Sequence, residues 1–161
     1  MSHPTLHMNI PLPLRAGPRP QVSRHAPQEQ LDQLPPQRLK LALLDRLRGL
    51  EGVTFAPSQR APHGTIGLHL EGEDPTGRER AFLIDQEFAH VHPGEDSSMH
   101  MILPEPLRSE AIAAGWAQPH PFAGVPTVSA DTVMVYAPRN EDELQTVACL
   151  TLAAWKNAQG I

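Results

Sequence analysis

The sequence predicts an α+β fold: an antiparallel β-sheet with a central histidine-bearing hairpin, packed by an N-terminal, a short middle and a C-terminal helix. Three observations carry this. Leu39, Leu43, Leu47 and Leu50 recur at helical spacing early in the chain. Leu144, Val147, Ala148, Thr151, Ala154 and Trp155 do the same at its end. Between them lie short segments rich in alternating apolar residues, set apart by turns of Gly, Pro and Asp.

Residues 1–27 carry Pro4, Pro11, Pro13, Pro18, Pro20 and Pro27, which rules out a helix or a central strand there. They read as an extended arm, and residues 28–161 as one domain. Leu6, Ile10, Leu12 and Leu14 give the arm apolar side chains with which to dock. Pro36 suits the start of a helix, and Gly49 and Gly52 stop it. Val53–Ala56 is a short strand, and Thr65–Leu70 alternates so that Ile66, Leu68 and Leu70 share a face. After turn signals over 71–77, Arg80–His92 reads as a long strand paired with Met99–Leu103 through a Pro-Gly-Glu-Asp-Ser loop. Pro104 and Pro106 open a short helix through Leu107, Ala111 and Ile112 that Gly115 ends. Residues 116–130 read as a loop and Thr132–Ala137 as a strand. The last helix is the clearest: Asn140 with Glu143 three residues on makes a capping box, acidic residues meet the positive helix end, and Gly160 closes it.

Composition excludes several classes. The net charge is −5 and the basic residues form no stripe, which argues against nucleic acid as a partner. No apolar stretch reaches the roughly 20 residues of a membrane span, and no basic segment followed by an apolar run marks a secretory signal. A soluble, cytoplasmic protein with no membrane partner is expected. Apart from Lys40 and Lys156 the basic residues are arginines, a bias that suggests a bacterial, GC-rich source. Cys149 is the one cysteine, so no intrachain disulfide forms; within an apolar helical pattern it reads as an inert thiol.

The residues that point to chemistry are His90, His92 and His100, three of the nine histidines, on either side of one turn. Imidazole titrates near neutral pH and ligates metals. Residues two apart in a strand share a face, so Phe88, His90 and His92 align. If His92 faces Ser98, then His90 faces His100 and Phe88 faces Ile102; a one-residue slip would send His100 to the other side. Two chemistries are then open. Neutral imidazoles could hold Zn²⁺, Fe²⁺ or Mn²⁺, with Glu87 or His120 completing the shell. Alternatively, a His–His or His–carboxylate group could act as general base and hold an anionic substrate. Against both stands a polar hairpin face that merely fixes the turn.

Elsewhere, Trp116 and His120 sit in a Pro-rich loop that could lid a pocket. Tyr136 and Arg139 lie between a strand and a helix; Arg139 could bind a carboxylate or enolate, or simply form a structural ion pair. His3, His7 and His25 fall in the arm, and His63 and His69 read as surface residues. Ser98 lacks the Gly-X-Ser-X-Gly setting of a serine hydrolase.

The chain resembles the luciferase-domain family, named after the fungal luciferases and including many bacterial members. The resemblance rests on Gly17-Pro18-Arg19-Pro20, Gln30-Leu31, Ala81-Phe82-Leu83-Ile84, Glu87-Phe88-Ala89-His90-Val91-His92-Pro93 and Ser98-Met99-His100-Met101-Ile102-Leu103-Pro104. It continues through Gly115-Trp116, Pro119-His120-Pro121, Val133-Met134-Val135-Tyr136-Ala137-Pro138-Arg139 and Glu143-Leu144. It implies an enzyme like those that oxidise a hydroxylated pyrone with O₂, releasing CO₂ and light, with no known organic cofactor. The domain and the histidine block are carried over, and the substrate is not. The matched arm block implies that the arm docks on the domain.

The resulting expectation is a cofactor-free, oxygenase-like enzyme or binder for an enolic or phenolic small molecule. His90, His92, His100 and His120 are its catalytic candidates, with Glu87 orienting an imidazole. One histidine takes the enolic proton, and another or Arg139 stabilises the anion. Trp116 and Tyr136 stack on a flat ring, and Ser98 completes the substrate-binding set. A metal-dependent enzyme using His90, His92 and His100 as ligands, and a non-catalytic binding or accessory module, are the alternatives. Oligomeric state is left open.

Overall fold

A computed structural model describes residues 12–72 and 74–161. Leu6 and Ile10 of the arm, with His3 and His7, lie outside that range. The elements are α1 (Gln37–Leu47), β1 (Val53–Pro57), β2 (Ile66–Leu70), a 3₁₀ turn (Glu79–Ala81), β3 (Glu87–Val91), β4 (Met99–Ile102), α2 (Leu107–Ala113), β5 (Ala117–Pro119), β6 (Thr132–Val135) and α3 (Glu141–Gln159). The strands form one sheet in the order β1-β2-β3-β4-β6-β5, every neighbouring pair antiparallel. The expected α+β class and the central histidine hairpin, β3–β4, are therefore what the chain adopts.

The sheet has two unlike faces. Leu68, Leu70, Ala89, Val91, Met99, Met101, Val133 and Val135 join Leu39, Leu43 and Leu47 of α1 and Leu144, Val147, Leu150 and Ala154 of α3 in one apolar cluster. Full burial of one such leucine contributes on the order of 1.5–3 kcal/mol. The alternate residues Gly67, His90, His100 and Met134 pair in sequence across the neighbouring strands β2, β3, β4 and β6. Here the period of two puts polar side chains on the face that the helices do not cover.

That second face is covered by residues 26–28 together with residues 60–62, Leu83 and residues of the loop after β5, while the N-terminal segment is tied down at α2 and β5. Leu12 packs against the core cluster. Trp116 Nε1 donates to the Pro13 carbonyl (2.6 Å), Arg15 N–H to Ala114 (2.9 Å) and Arg19 Nη1 to Ala117 (2.8 Å). Leu14, by contrast, is 82% exposed.

Three expectations need correction. The long strand over 80–92 shrinks to β3, since Glu79–Ala81 is a 3₁₀ turn and Ile84 makes only an isolated bridge to Glu87. Asp85 adopts a left-handed φ of 47°, a region aspartate tolerates, and the chain doubles back so that Glu87 N–H bonds the Ile84 carbonyl (2.8 Å). The loop over 116–130 contains β5, which pairs Ala117 with Val135 and Pro119 with Val133 at the sheet edge. Phe88 does not share a face with His90 and His92. The β2–β3 register shifts between Leu68, opposite Ala89, and His69, opposite Glu87. This bulge leaves Phe88 as the extra residue, and it joins Ala89 in the core cluster.

At α3 the cap is half of the expected box. Asn140 Oδ1 accepts from Glu143 N–H (2.9 Å), while the Glu143 carboxylate turns to Arg139. No helix among the described residues is long and apolar enough to cross a membrane.

Candidate functional site

The hairpin places its histidines by register. His90 lies directly opposite His100, and His92 N–H bonds the Ser98 carbonyl (3.0 Å), so two of the three cross-strand pairings expected from strand geometry are present, while the bulge removes Phe88 from its expected place opposite Ile102. The loop between is clamped from behind. The buried Lys40 ammonium donates to the carbonyls of His92 (2.7 Å) and Gly94 (2.8 Å). Asp96 Oδ1 accepts from Ser98 N–H (2.9 Å) and from Ser98 Oγ–H (2.6 Å).

The bulge supplies Glu87. Strict alternation would put it on the face away from His90; the extra residue returns it to His90's side. Its carboxylate accepts from His90 Nδ1 (2.8 Å), Ser58 Oγ (2.7 Å) and Gln59 N–H (2.9 Å). Burial alone would raise this carboxyl's pKa, but the three hydrogen bonds outweigh it and hold the group below the ordinary range.

These partners fix where the imidazole protons sit. An ionised carboxylate only accepts, so His90 carries its proton on Nδ1. Ser98 gives its own proton to Asp96, so its Oγ accepts from His92 Nδ1–H (2.8 Å). His100 Nε2–H donates to Gln28 Oε1 (2.7 Å). Burial, then the neighbouring His90 and Lys40, pushes His92 down to about 3. Burial, then His92 and His90, holds His100 well below its usual value. A neutral imidazole has one N–H, and in His92 and His100 the outer nitrogen holds it. The inner nitrogens of His92 and His100 are therefore bare. His100 Nδ1 stands 3.0 Å from His90 Nε2 and 3.1 Å from His92 Nε2. Three ring nitrogens, one from each histidine, converge and all lie within 4.8 Å of one another. Neutral imidazoles whose outer N–H groups are held by carboxylate, hydroxyl and amide oxygens are the donor set of a divalent-metal site.

The three rings line a cavity of about 220 Å³, together with His120, Phe122, Pro27 of the arm, Gln28 and Arg60. The His120 ring lies 4.9 Å from that of His100. Its Nδ1 accepts from Phe122 N–H (3.0 Å), which leaves Nε2 to donate. Burial, then His90 and Arg60, lowers its pKa and keeps it neutral at pH 7.

The structure thus brings together His90, His92, His100 and His120, with Glu87 beneath His90 and Ser98 behind His92. It does not bring Trp116, Tyr136 or Arg139 to the cavity. Trp116 holds Pro13; Tyr136 donates to Gln118 Oε1 (2.7 Å) and accepts from Arg19 (3.2 Å). Arg139 is paired with Glu143 (2.6 Å) and bonds the Ala16 carbonyl (2.6 Å). All three anchor the arm. His63 is exposed as expected, but His69 is not a surface residue: its side chain is 14% exposed, with Nε2 3.9 Å from Glu87 Oε1. Sequence reasoning missed Gln28 and Arg60. Gln28 carries no local signal, since its partner is 72 residues away.

Residues 85–154 match the sequence model of the Luciferase domain, the family that the motifs resemble. The chain is 32% identical to a luciferase of Armillaria mellea and 30% identical to one of Armillaria ostoyae, each alignment covering 89% of this chain and 59% of the relative. A luciferase of Neonothopanus nambi is 29% identical with the same coverage. The chain therefore spans 59% of the length of these relatives. No solved structure matches it.

Proposed function

We propose that this chain, which carries a luciferase-like domain over residues 85–154, is an oxygenase-type enzyme for an enolic or phenolic small molecule, working at a divalent-metal centre held by His90, His92 and His100. One observation carries it: three buried imidazole nitrogens, on rings each held at the outer nitrogen by a hydrogen-bond partner, converge on the floor of a cavity. A general-base cluster has no need of three ring nitrogens in one place, whereas a cation does. The reaction class comes from the resemblance to the fungal luciferases.

A bound Zn²⁺, Fe²⁺ or Mn²⁺ would act as a Lewis acid toward a substrate oxygen, and iron or manganese would also bring O₂ chemistry within reach. The chain's residues do the rest. Glu87, Ser98 and Gln28 hold the rings in the ligating tautomer. His120, neutral and donating from Nε2, offers a hydrogen bond to an oxygen of the bound molecule. The arm at Pro27 and the Phe122 side chain shield the floor from water.

Elemental analysis of the purified chain tests this. Near-stoichiometric metal, lost in His90→Ala and His100→Ala, is expected. Oxygen uptake with an enolic substrate that persists in metal-free protein would overturn the metal centre and return the site to cofactor-free general-base catalysis. Ligand binding at the cavity with no turnover under any metal would leave a binding module.

A further inference from the structure

The cavity holds a charge that the metal centre does not use. Arg60 lies on the segment between β1 and β2, where Ser58 Oγ accepts from Arg60 N–H (3.3 Å) while donating to Glu87. The serine that helps orient His90 therefore also sets the backbone of Arg60. The guanidinium reaches across to the Thr127 carbonyl on the loop after β5. Among the described residues no carboxylate forms an ion pair with it. Nor does any Asp or Glu line the cavity, whose polar wall is Arg60, four histidines, Gln28 and Thr132. A second cavity of about 350 Å³ also touches Arg60, Leu83 and Val128, so the guanidinium stands at the boundary between the two.

Resting on the reading of the His-lined cavity as the ligand site, we infer that it selects a planar, oxyanion-bearing molecule and that Arg60 recognises the charge. The body of such a molecule meets Pro27, Pro62, Leu83, Phe122 and Val128, an apolar wall suited to one flat ring. A volume of about 220 Å³ exceeds the about 150 Å³ in which an apolar cavity takes up benzene. The carbonyl of Thr127 is a neutral acceptor, and an incoming carboxylate, phenolate or enolate makes a stronger, charge-assisted bond with the same fork of N–H groups. His120 Nε2–H donates to the oxyanion from the neighbouring wall. A cavity with one cation and no acid admits a neutral analogue without that bond. Arg60 thus takes the part that sequence reasoning gave to Arg139, which is occupied by Glu143.

The test uses the full chain with benzoate and its neutral isostere benzamide, read by calorimetry and by the imidazole proton signals of the cavity histidines, in metal-loaded and chelator-treated protein. Benzoate binds at least about tenfold more tightly than benzamide in both forms, the worth of one charge-assisted hydrogen bond. In Arg60→Gln the preference falls to within about twofold, and Arg60→Lys, which keeps the charge, retains part of it. A preference that survives Arg60→Gln, or that exists only with metal bound, assigns the anion to the metal and overturns Arg60. If neither probe moves the histidine signals, the ligand-site reading itself fails. A benzoate preference lost in Arg60→Gln from metal-free protein that never takes up metal upholds Arg60 while ending the metal centre. Arg60 is exposed, so a melting curve matching the parent shows that the variant folds.

Discussion

At the scale of single residues the site depends on which nitrogen of each ring carries the proton. Glu87 decides this for His90, through one carboxylate that also ties Ser58 and the Gln59 amide. Glu87→Gln keeps the shape but removes the charge. Its amide can then turn an N–H toward His90 Nδ1 and drive the proton to the inner nitrogen. Metal affinity is expected to fall about 10–100-fold, the usual cost of losing a ligand's outer hydrogen bond. Competition with a fluorescent chelator measures it, and unchanged affinity would show that Glu87 does not set the tautomer. The cross-strand pair of His90 and His100 was legible in the sequence because period-two geometry and one turn determine it. Glu87's place was not, because alternation assigns it to the wrong face and only the bulge corrects this. Gln28 was illegible for a different reason: nothing local to it specifies a contact made through the folded arm.

At the scale of elements, β2 shows how the sheet makes room for this carboxylate. Gly67 sits opposite His90 in the register. A Cβ there would stand 2.6 Å from His69 Nε2, 3.1 Å from the Ala56 carbonyl and 3.2 Å from Glu87 Cδ. Backbone and a triply bonded carboxylate cannot both give way. Gly67→Ala is therefore expected to cost about 1–3 kcal/mol in urea unfolding, as overpacking does, and to weaken metal binding in the protein that still folds. Asn140→Ala is the control. It removes the cap that accepts from Glu143 N–H, at about 1 kcal/mol, on the far side of the sheet, and leaves metal affinity unchanged. Equal effects of the two variants on metal content would mean that stability, not crowding at Glu87, governs the site. α3 was legible because helical period, cap and closing glycine agree. The break before β3 was not, because a single Asp85 with no Gly or Pro beside it is a weak turn signal inside a run that otherwise reads as strand. β5 hid in a Pro-rich loop, since an edge strand of three residues needs few ladder bonds and tolerates Pro119 at its end.

At the scale of the whole molecule, the sheet separates an apolar layer of helices from a polar layer covered by residues 26–28, residues 60–62 and the loop after β5, and acid should act first on the second. His92, buried, titrates at about 3 in the folded chain against an ordinary value of 6.5, and His100 is displaced in the same direction. Between those limits the unfolded chain binds protons that the folded chain refuses. Stability is therefore full above about pH 6.5 and falls as pH drops toward 3, by up to about 1.4 kcal/mol per pH unit for each such histidine. Protonation would place charge among three rings in which His100 Nδ1 stands about 3 Å from both His90 Nε2 and His92 Nε2, with Gln28 bonded to His100 at the edge of the arm. The chelator-treated chain should thus show a urea midpoint that falls steadily from pH 7.5 to 4.5. His100→Gln, which removes one of the titrating rings, should flatten that slope. Metal-loaded protein should resist until protons displace the metal and then lose stability more abruptly, because ligation requires every inner nitrogen bare. A midpoint independent of pH over this range in the metal-free chain would mean that the histidine face meets water freely, and the cover over that face would have to be discarded with it.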